Sequence, residues 1–161
     1  MPSTAPTAMK TPVTFALWAL KTLVTLGLVV AFVAAGFGDG SGDPGTGNGV
    51  AVAIALVGGF LNVWHYALLK RAAPTLARPE SLRTGGGLFG LIRHPMYLGE
   101  LILGLGLALG VGGGAAIAVW TANAGLVAAR RGREDRQMAG AFGERHQRWC
   151  AGTKRLLPGV F

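Results

Sequence analysis

The sequence is short of charge and nearly free of cysteine. Of its 161 residues only 14% are charged, whereas 51% are hydrophobic. A soluble domain usually carries about a quarter charged residues, so this deficit argues against a large surface in water and favours a membrane protein. The single cysteine, Cys150, has no partner for an internal disulfide, and we expect a reduced thiol in the cytosol.

Other missing signals argue against several classes of protein. No GxGxxG motif follows a predicted strand, which argues against a Rossmann-type nucleotide site. The net charge of +8 could suit nucleic acid, but no soluble nucleic-acid-binding motif is present and we predict no such partner. The first apolar run is too long for a signal peptide and no clear cleavage site follows it, so we interpret it as a membrane helix. The sequence predicts no metal site and no particular oligomeric state.

Four apolar segments organise the chain as one all-α domain over residues 1–161. The first two are each long enough to cross a hydrocarbon core of roughly 30 Å. The last two are separated by a glycine-rich break at residues 110–114, and we predict a helical hairpin whose outer ends return to the same side. We therefore expect an integral membrane bundle of about four transmembrane helices. The predicted segments are a flexible N-terminus at 1–12, membrane helices at 13–36, 50–69, 96–110 and 112–130, and a tail at 131–161.

The basic residues cluster in two blocks, 70–93 and 130–155, and each block borders an apolar run. The loop at 37–49 contains acids but no Lys or Arg. Because positive charges favour the cytoplasmic side, we expect both blocks and both termini in the cytoplasm, with the protein in a bacterial inner membrane. Residues 131–161 carry spaced apolar side chains among basic ones, which predicts an amphipathic helix at the cytoplasmic interface.

Four polar side chains fall within or beside the apolar segments, where such groups are costly. We expect Lys21 to extend its ammonium to the nearer interface, with a specific ligand or partner contact as the alternative. Asn62 and His65 share one helix face, which favours a hydrogen bond between helices over ligand binding. Glu100 lies about one turn into its helix, and structural and functional interpretations are equally open there.

The stretch RHPMYLGE at residues 93–100 stands where a basic loop enters a membrane helix. Pro95 suits the first helical position because its missing N–H is not needed there, and His94 before it must take a non-helical backbone. Arg93 offers planar donors for a carboxylate, and Tyr97 is a typical interfacial aromatic residue. Membrane anchoring would explain each of these residues separately.

A second polar cluster, RRGREDR at residues 130–136, follows the last apolar segment. In a helix, Arg130 and Glu134 would share a face at spacing i, i+4, and so would Arg131 and Asp135. A solvated face with weak ion pairs is the plain structural interpretation, and a site formed together with the first cluster is the functional one.

Together the two clusters resemble the isoprenylcysteine carboxyl methyltransferase and phospholipid methyltransferase superfamily, whose members are membrane-embedded and use S-adenosylmethionine. The resemblance covers about the C-terminal half of the chain. The sequence departs from the family pattern at Leu88, where proline is usual, at Asp135 in the acidic pair, and at His146 and Trp149, where tyrosines are common. The matching residues are Gly87, Phe89, Arg93, His94, Pro95, Tyr97, Gly99, Glu134, Asp135, Phe142, Gly143, Pro158 and Gly159.

The resemblance implies a pocket for S-adenosylmethionine that the tail at 131–161 closes. Among its residues, Arg130 and Glu134 would be catalytic: we expect Arg130 to orient the acceptor group and Glu134 to fix Arg130 or the cofactor. The loop at 85–89 would help enclose the cofactor. The implied cofactor-binding residues are Gly87, Phe89, Arg93, His94, Pro95, Tyr97, Gly99, Glu134 and Asp135.

The implied acceptor is lipophilic and enters from the bilayer. An isoprenylcysteine-like carboxylate, a phospholipid amine and a small lipophilic thiol or acid all fit. An amine or thiol would need a general base, for which Glu134 or His94 is nearest, whereas a carboxylate would need none.

The competing prediction is a non-catalytic membrane protein related to this family, such as a small transporter or an assembly factor. It would keep the helices and the basic tail without binding the cofactor. A multidrug-type transporter would usually need an acid deep within a span, and only Glu100 approaches that position. The intact RHPMY motif and the acidic pair favour the enzyme.

Overall fold

A computed structural model describes residues 12–37, 46–72, 87–154 and 156, which form five α-helices and one 3₁₀ turn without any β-strand. The all-helical class is therefore confirmed for this part of the chain. Predictions for residues 1–11, for most of the loop at 37–49, and for Gly85, Pro158 and Gly159 lie outside the described residues. The helices are α1 (Pro12–Phe37), α2 (Thr46–Ala72), α3 (Pro95–Val111), α4 (Gly113–Phe142) and α5 (Glu144–Gly152), and the 3₁₀ turn is Gly87–Gly90.

Two helices are long and apolar enough to cross a bilayer. The candidate spans are Phe15–Gly36 in α1 and Gly49–Leu69 in α2, with mean hydropathies of 2.1 and 1.7. Large apolar side chains such as Leu23 in α1 and Leu56 in α2 are more than half exposed. A contiguous exposed apolar surface marks a face that meets lipid or another partner rather than water. Length, composition and exposure thus agree with the two predicted membrane helices.

The predicted hairpin is formed by α3 and α4, with Gly112 between them. Gly112 and Gly113 have φ angles of +76° and +77°, a region that glycine adopts without the steric penalty of a Cβ atom. The assignment of Gly110 to the turn is wrong, because Gly110 lies within α3 and its backbone faces Phe32 of α1. With 17 residues, α3 rises about 25 Å, less than the roughly 30 Å of a hydrocarbon core.

The helix does not end at the predicted boundary of the tail at residue 131, because α4 continues through it to Phe142. The charged residues of the second cluster are good helix formers and favour continuation of the apolar helix. The helix ends at Gly143, whose φ is +50°. The predicted interfacial helix is thereby reduced to α5, which is nine residues long.

Small residues let α2 and α3 pack with their backbones close together. A Cβ atom at Gly99 would lie 2.6 Å from the backbone nitrogen of Asn62, and one at Gly106 would lie 2.7 Å from the carbonyl oxygen of Ala51. Small residues at such contacts are typical of membrane helix pairs. Leu28 of α1 joins Ala55 of α2 and Leu107 of α3 in one buried apolar cluster. This packing fixes the beginning of α3, where the RHPMY motif lies.

Candidate functional site

The beginning of α3 places His94 beside the acidic pair of α4. His94 has φ −126° and ψ 57° and Pro95 starts the helix, as the missing proline N–H predicts. The Nε2 atom of His94 lies 2.9 Å from Oδ1 of Asp135. The two sequence clusters, 41 positions apart at this pair, therefore meet in space.

A second contact between the clusters involves Tyr97, Arg130 and Glu134. The Tyr97 hydroxyl donates a hydrogen bond to Glu134 Oε1 at 2.6 Å, and Arg130 Nε donates to the same oxygen at 3.1 Å. The guanidinium carbon of Arg130 lies 5.8 Å from the centre of the Tyr97 ring, within range of a cation–π contact. The Arg130 and Glu134 side chains are only 20% and 30% exposed. The predicted i, i+4 pair is thus part of an interhelical cluster rather than a fully solvated face.

The 3₁₀ turn before α3 is held by His65 of α2. The backbone N–H of Leu88 donates to His65 Nε2 at 3.0 Å, and the Phe89 ring meets the His65 ring edge-on at 5.5 Å. At Gly87 φ is +59°, and a Cβ atom there would lie 2.9 Å from His65 Nε2. His65 is completely buried. Its interpretation as a structural hydrogen-bonding residue is confirmed, although its partner is this turn and not another helix.

The segment between the turn and α3 is tied to the chain beyond α5. The Arg93 N–H donates to the Lys154 carbonyl at 2.7 Å, and the Lys154 N–H donates to the Leu91 carbonyl at 2.8 Å. These bonds form an isolated parallel bridge between Ile92 and Lys154. The Nε atom of Arg93 is buried and has no hydrogen-bond partner among the described residues. The bridge holds the Arg93 backbone while this side-chain donor is left for another group.

Asp135 and His146 have altered acidities because they share this corner. Burial raises the pKa of the Asp135 carboxyl, but the hydrogen bond with His94 and the positive charges of His94 and Arg93 outweigh burial and leave this pKa below its ordinary value. Burial lowers the pKa of His146; Asp135 opposes this shift, and the charges of Arg93 and His94 add to it. At neutral pH, Asp135 is therefore a carboxylate and His146 a neutral imidazole.

His146 is 4% exposed, although in the sequence it stands out only as a departure from the family pattern. Its Nε2 lies 3.3 Å from Sγ of Cys150, one turn along α5. Its Nδ1 is buried without a partner within the described part of the chain. The Nε atom of Arg131 is also buried without a partner among the described residues. Within the same part of the chain, Asp135 pairs with His94 and forms no ion pair with Arg131. Unpaired buried donors cost free energy, so this corner is suited to an acceptor group from outside the chain.

The interpretation of Lys21 as a residue that reaches for the interface is wrong. Its Nζ lies 2.5 Å from Oε1 of Glu100 on α3, and the two side chains are only 13% and 6% exposed. A carboxylate buried at that depth holds the ammonium more strongly than the distant interface can. Asn62, the other polar residue of α2, donates to the carbonyl of Met96 at 3.0 Å, which confirms its role between helices.

The predicted site residues lie in four places in the structure. His94, Tyr97, Arg130, Glu134 and Asp135 form the polar contacts between the beginning of α3 and the charged part of α4. Pro95 begins α3, and the Arg93 backbone is bonded to Lys154. Gly87 and Phe89 lie on His65, and Gly99 lies against α2, where its lack of a side chain serves helix packing. Sequence reasoning missed Lys154, for which no signal was available because its contribution is made by backbone atoms alone.

In this helical bundle, clustered Arg, His, Tyr and acidic side chains lie at one end of the apolar hairpin, which is the arrangement that the resemblance to membrane methyltransferases predicts. The sequence pattern of the phospholipid methyltransferase family matches residues 48–145, more than half of the chain, and the protein therefore belongs to this family. No curated protein and no solved structure matches it. The matched range contains α2, α3 and α4 and excludes α1.

Proposed function

We propose that this protein transfers a methyl group from S-adenosylmethionine to a lipophilic acceptor at the cytoplasmic face of a bacterial inner membrane. The supporting observation is that Tyr97 and Arg130 both donate to one carboxylate oxygen of Glu134, beside the contact between His94 and Asp135. These contacts join the two motifs of a methyltransferase family. We further propose four membrane helices with both termini in the cytoplasm, since both basic blocks border apolar runs in the sequence and positive charges favour the cytoplasmic side.

The residues at the end of the bundle fit S-adenosylmethionine. Among the described residues, Nε of Arg93 and Nε of Arg131 are buried donors without a partner, and guanidinium groups bind a carboxylate such as that of the cofactor well. The Asp135 carboxylate and the neutral His146 lie in the same corner and could accept from the cofactor's ammonium and hydroxyl groups. When bound, the cofactor would supply an electrophilic methyl group on a sulfonium centre.

In this proposal the protein positions the reacting groups and excludes water from them, and it forms no covalent bond with the substrate. Arg130 is held by Glu134 and by the Tyr97 ring, so it can orient the acceptor with little loss of side-chain freedom. The packed hairpin and α5 would exclude water from the reacting groups. For an amine or thiol acceptor, Glu134 or His94 would take the proton, whereas a carboxylate acceptor would need no base.

Calorimetric titration of detergent-purified protein with S-adenosylmethionine tests this proposal. We expect binding by wild type and a loss of affinity of at least about tenfold in His94→Ala and Glu134→Ala, because each loses a hydrogen-bonded polar contact at the site. Glu144→Ala is the matched control, since Glu144 is an exposed acid at the beginning of α5. If folded wild type bound no cofactor, the non-catalytic membrane protein would become the better interpretation.

Turnover of Arg130→Ala separates binding from orientation. At saturating cofactor we expect the rate to fall about a hundredfold, because an unoriented acceptor loses much of the benefit of proximity. Cofactor affinity should change little by comparison. A normal rate in this variant would contradict the role proposed for Arg130.

A further inference from the structure

His65 of α2 is a buried polar side chain that the proposed mechanism does not use. Nδ1 of its completely buried ring lies 2.7 Å from the carbonyl oxygen of Leu61, and Nε2 accepts from the backbone N–H of Leu88 at 3.0 Å. A carbonyl can only accept, so Nδ1 must carry the ring proton. A backbone N–H can only donate, so Nε2 must carry none. The two bonds therefore fix one neutral tautomer of His65.

The neighbours of this ring hold it in its orientation. The Phe89 ring meets it edge-on at 5.5 Å, and the Trp64 ring centre lies 4.9 Å from its own. Gly87 approaches so closely that a Cβ atom there would lie 2.9 Å from Nε2. Because the ring is enclosed on these sides, Nε2 is a fixed acceptor directed at the 3₁₀ turn at Gly87–Gly90.

The 3₁₀ turn connects this bond to Arg93 over a few residues. The Leu88 carbonyl accepts from the N–H groups of Leu91 and Ile92 at 2.9 and 2.8 Å. Ile92 is completely buried, and Arg93 follows it with a buried Nε that has no partner among the described residues. A short backbone that is bonded on both sides has little conformational freedom. The orientation of Leu88 therefore sets the direction in which the Arg93 side chain leaves the chain.

The bond between His65 and Leu88 depends on the residue type at position 88. Leucine has a backbone N–H, whereas proline, which is usual there in the family pattern, has none and fixes its own φ angle instead. With leucine in this place the turn lacks that internal restraint. Among the described residues, His65 is the side chain that accepts from this N–H, and its bond restrains the turn from outside.

We propose that His65 is a positioning residue of the cofactor site: its neutral ring holds the 3₁₀ turn through Leu88 and thereby directs the Arg93 guanidinium toward the carboxylate of S-adenosylmethionine. The inference rests on the proposed function and adds a residue that acts only through others. A donor already held in place loses less freedom when its ligand binds, and this raises affinity. His65 thus serves cofactor binding, and the methyl transfer itself depends on Arg130 and Glu134.

Two amide substitutions separate the bonds of His65. The side chain of His65→Asn ends where Nδ1 stands, so it can bond to Leu61 but is too short to reach Leu88. In His65→Gln the side-chain oxygen lies as many bonds from the backbone as Nε2 and can accept from Leu88. If His65 served only its own helix, His65→Asn would be the better replacement. If it positions the turn, His65→Gln is the better one.

Hydrogen–deuterium exchange of the full chain in detergent, without cofactor, tests the hold on the turn. The readout is the exchange rate of the amides of Leu88, Leu91 and Ile92. We expect His65→Asn to exchange these amides about tenfold faster, the size of one lost hydrogen bond, and His65→Gln to keep the wild-type rates. Exchange in α1 is the internal control for the fold and should be the same in all three proteins.

Calorimetric titration with S-adenosylmethionine tests the consequence for the cofactor site. We expect affinity to fall about tenfold in His65→Asn and to return to the wild-type value in His65→Gln. Turnover at saturating cofactor should stay within about twofold of wild type in both variants, because the bonds among the proposed catalytic groups are unchanged. A general weakening of the fold would lower affinity and turnover together.

Leu88→Pro removes the N–H donor without changing His65 and completes a double-mutant cycle. Proline restrains its own φ angle, so we expect this variant to bind the cofactor about as well as wild type. With proline at position 88, His65→Asn should have no further effect on affinity, because the bond that it removes is already absent. An equal loss with leucine and with proline would show that His65 does not act through Leu88 and would overturn the proposal.

The outcomes distinguish this inference from the proposed function. Equal exchange in wild type and His65→Asn, or no recovery in His65→Gln, would overturn the role of His65 even if wild type binds the cofactor normally. This comparison decides the matter even if Leu88→Pro does not fold. Absence of cofactor binding in folded wild type would instead overturn the proposed function, and the exchange rates would still decide whether His65 holds the turn.

Discussion

At the scale of single residues, Tyr97 is the common neighbour of the proposed catalytic groups. Its hydroxyl bonds to Glu134, its ring lies under the Arg130 guanidinium, and the His94 ring centre is 5.6 Å from its own. A residue with these three contacts can transmit a change at one group to the others. The hydroxyl and the ring are separable by mutation.

We expect Tyr97→Phe to retain the ring contacts and lose the hydrogen bond. Glu134 would then hold Arg130 without support, and turnover at saturating cofactor should fall about tenfold, as for the loss of one bond to a charged group. Initial rates measured against both substrates provide the test. Tyr97→Leu, which also loses the ring, should be more severely impaired. Equal activity of wild type and Tyr97→Phe would show that the hydroxyl plays no part.

Contacts that depend on neighbouring residues could be predicted from the sequence, whereas contacts between distant helices could not. The non-helical backbone of His94 follows from Pro95, and the contact between Arg130 and Glu134 follows from helical spacing. The pairing of Lys21 with Glu100 joins helices 79 positions apart. It depends on how α1 is rotated against α3, which no local pattern specifies.

At the scale of helices, the contact between α2 and α3 depends on glycine. The Gly106 backbone approaches the backbone of Ala51 and Ala55, and Gly99 approaches that of Asn62 in the same way. No local sequence pattern specifies which helix packs against these two glycines.

Gly106→Ala should lower the free energy of unfolding by about 1–3 kcal/mol, the usual cost of forcing extra atoms into a packed interface. Gly27→Ala should be neutral or slightly stabilising, because its Cβ would meet nothing within 4 Å and alanine favours helix. Reversible unfolding in detergent micelles would measure both. Similar losses in the two variants would argue against close packing at Gly106.

Helix boundaries were predicted less well than helix positions. Apolar segments predicted the positions of the four long helices, two of which are long and apolar enough to cross a bilayer. The end of α4 was missed because the predicted boundary followed the change from apolar to charged residues, whereas the backbone continues through that change to Gly143.

At the scale of the whole molecule, ionisation at the corner of α3, α4 and α5 couples stability to pH. The lowered pKa of Asp135 contributes stability that is present above the ordinary carboxyl range and is lost as pH falls through the folded value. Because the pKa of His146 is lowered in the folded protein, the unfolded chain is protonated at a higher pH than the folded one. The free energy of unfolding therefore falls as the pH drops below 6.5.

We therefore expect the thermal midpoint to decrease as the pH is lowered from about 7.5 toward about 3, a range that includes the protonation of both groups. His146→Phe should remove the part of this decrease that begins near pH 6.5 and leave the part at lower pH, where Asp135 gains its proton. Thermal unfolding of both proteins across this range provides the measurement. Parallel curves for wild type and variant would exclude His146 as the source.

The bridge between Ile92 and Lys154 has a consequence for the order of assembly during synthesis. It closes a loop of about 60 residues, which carries an entropic cost that only the finished bundle can offset. Individual helices need no such closure to form. Lys154 must leave the ribosome before the Arg93 amide finds its acceptor, so a nascent chain whose first helices are already in the membrane would still lack this closure.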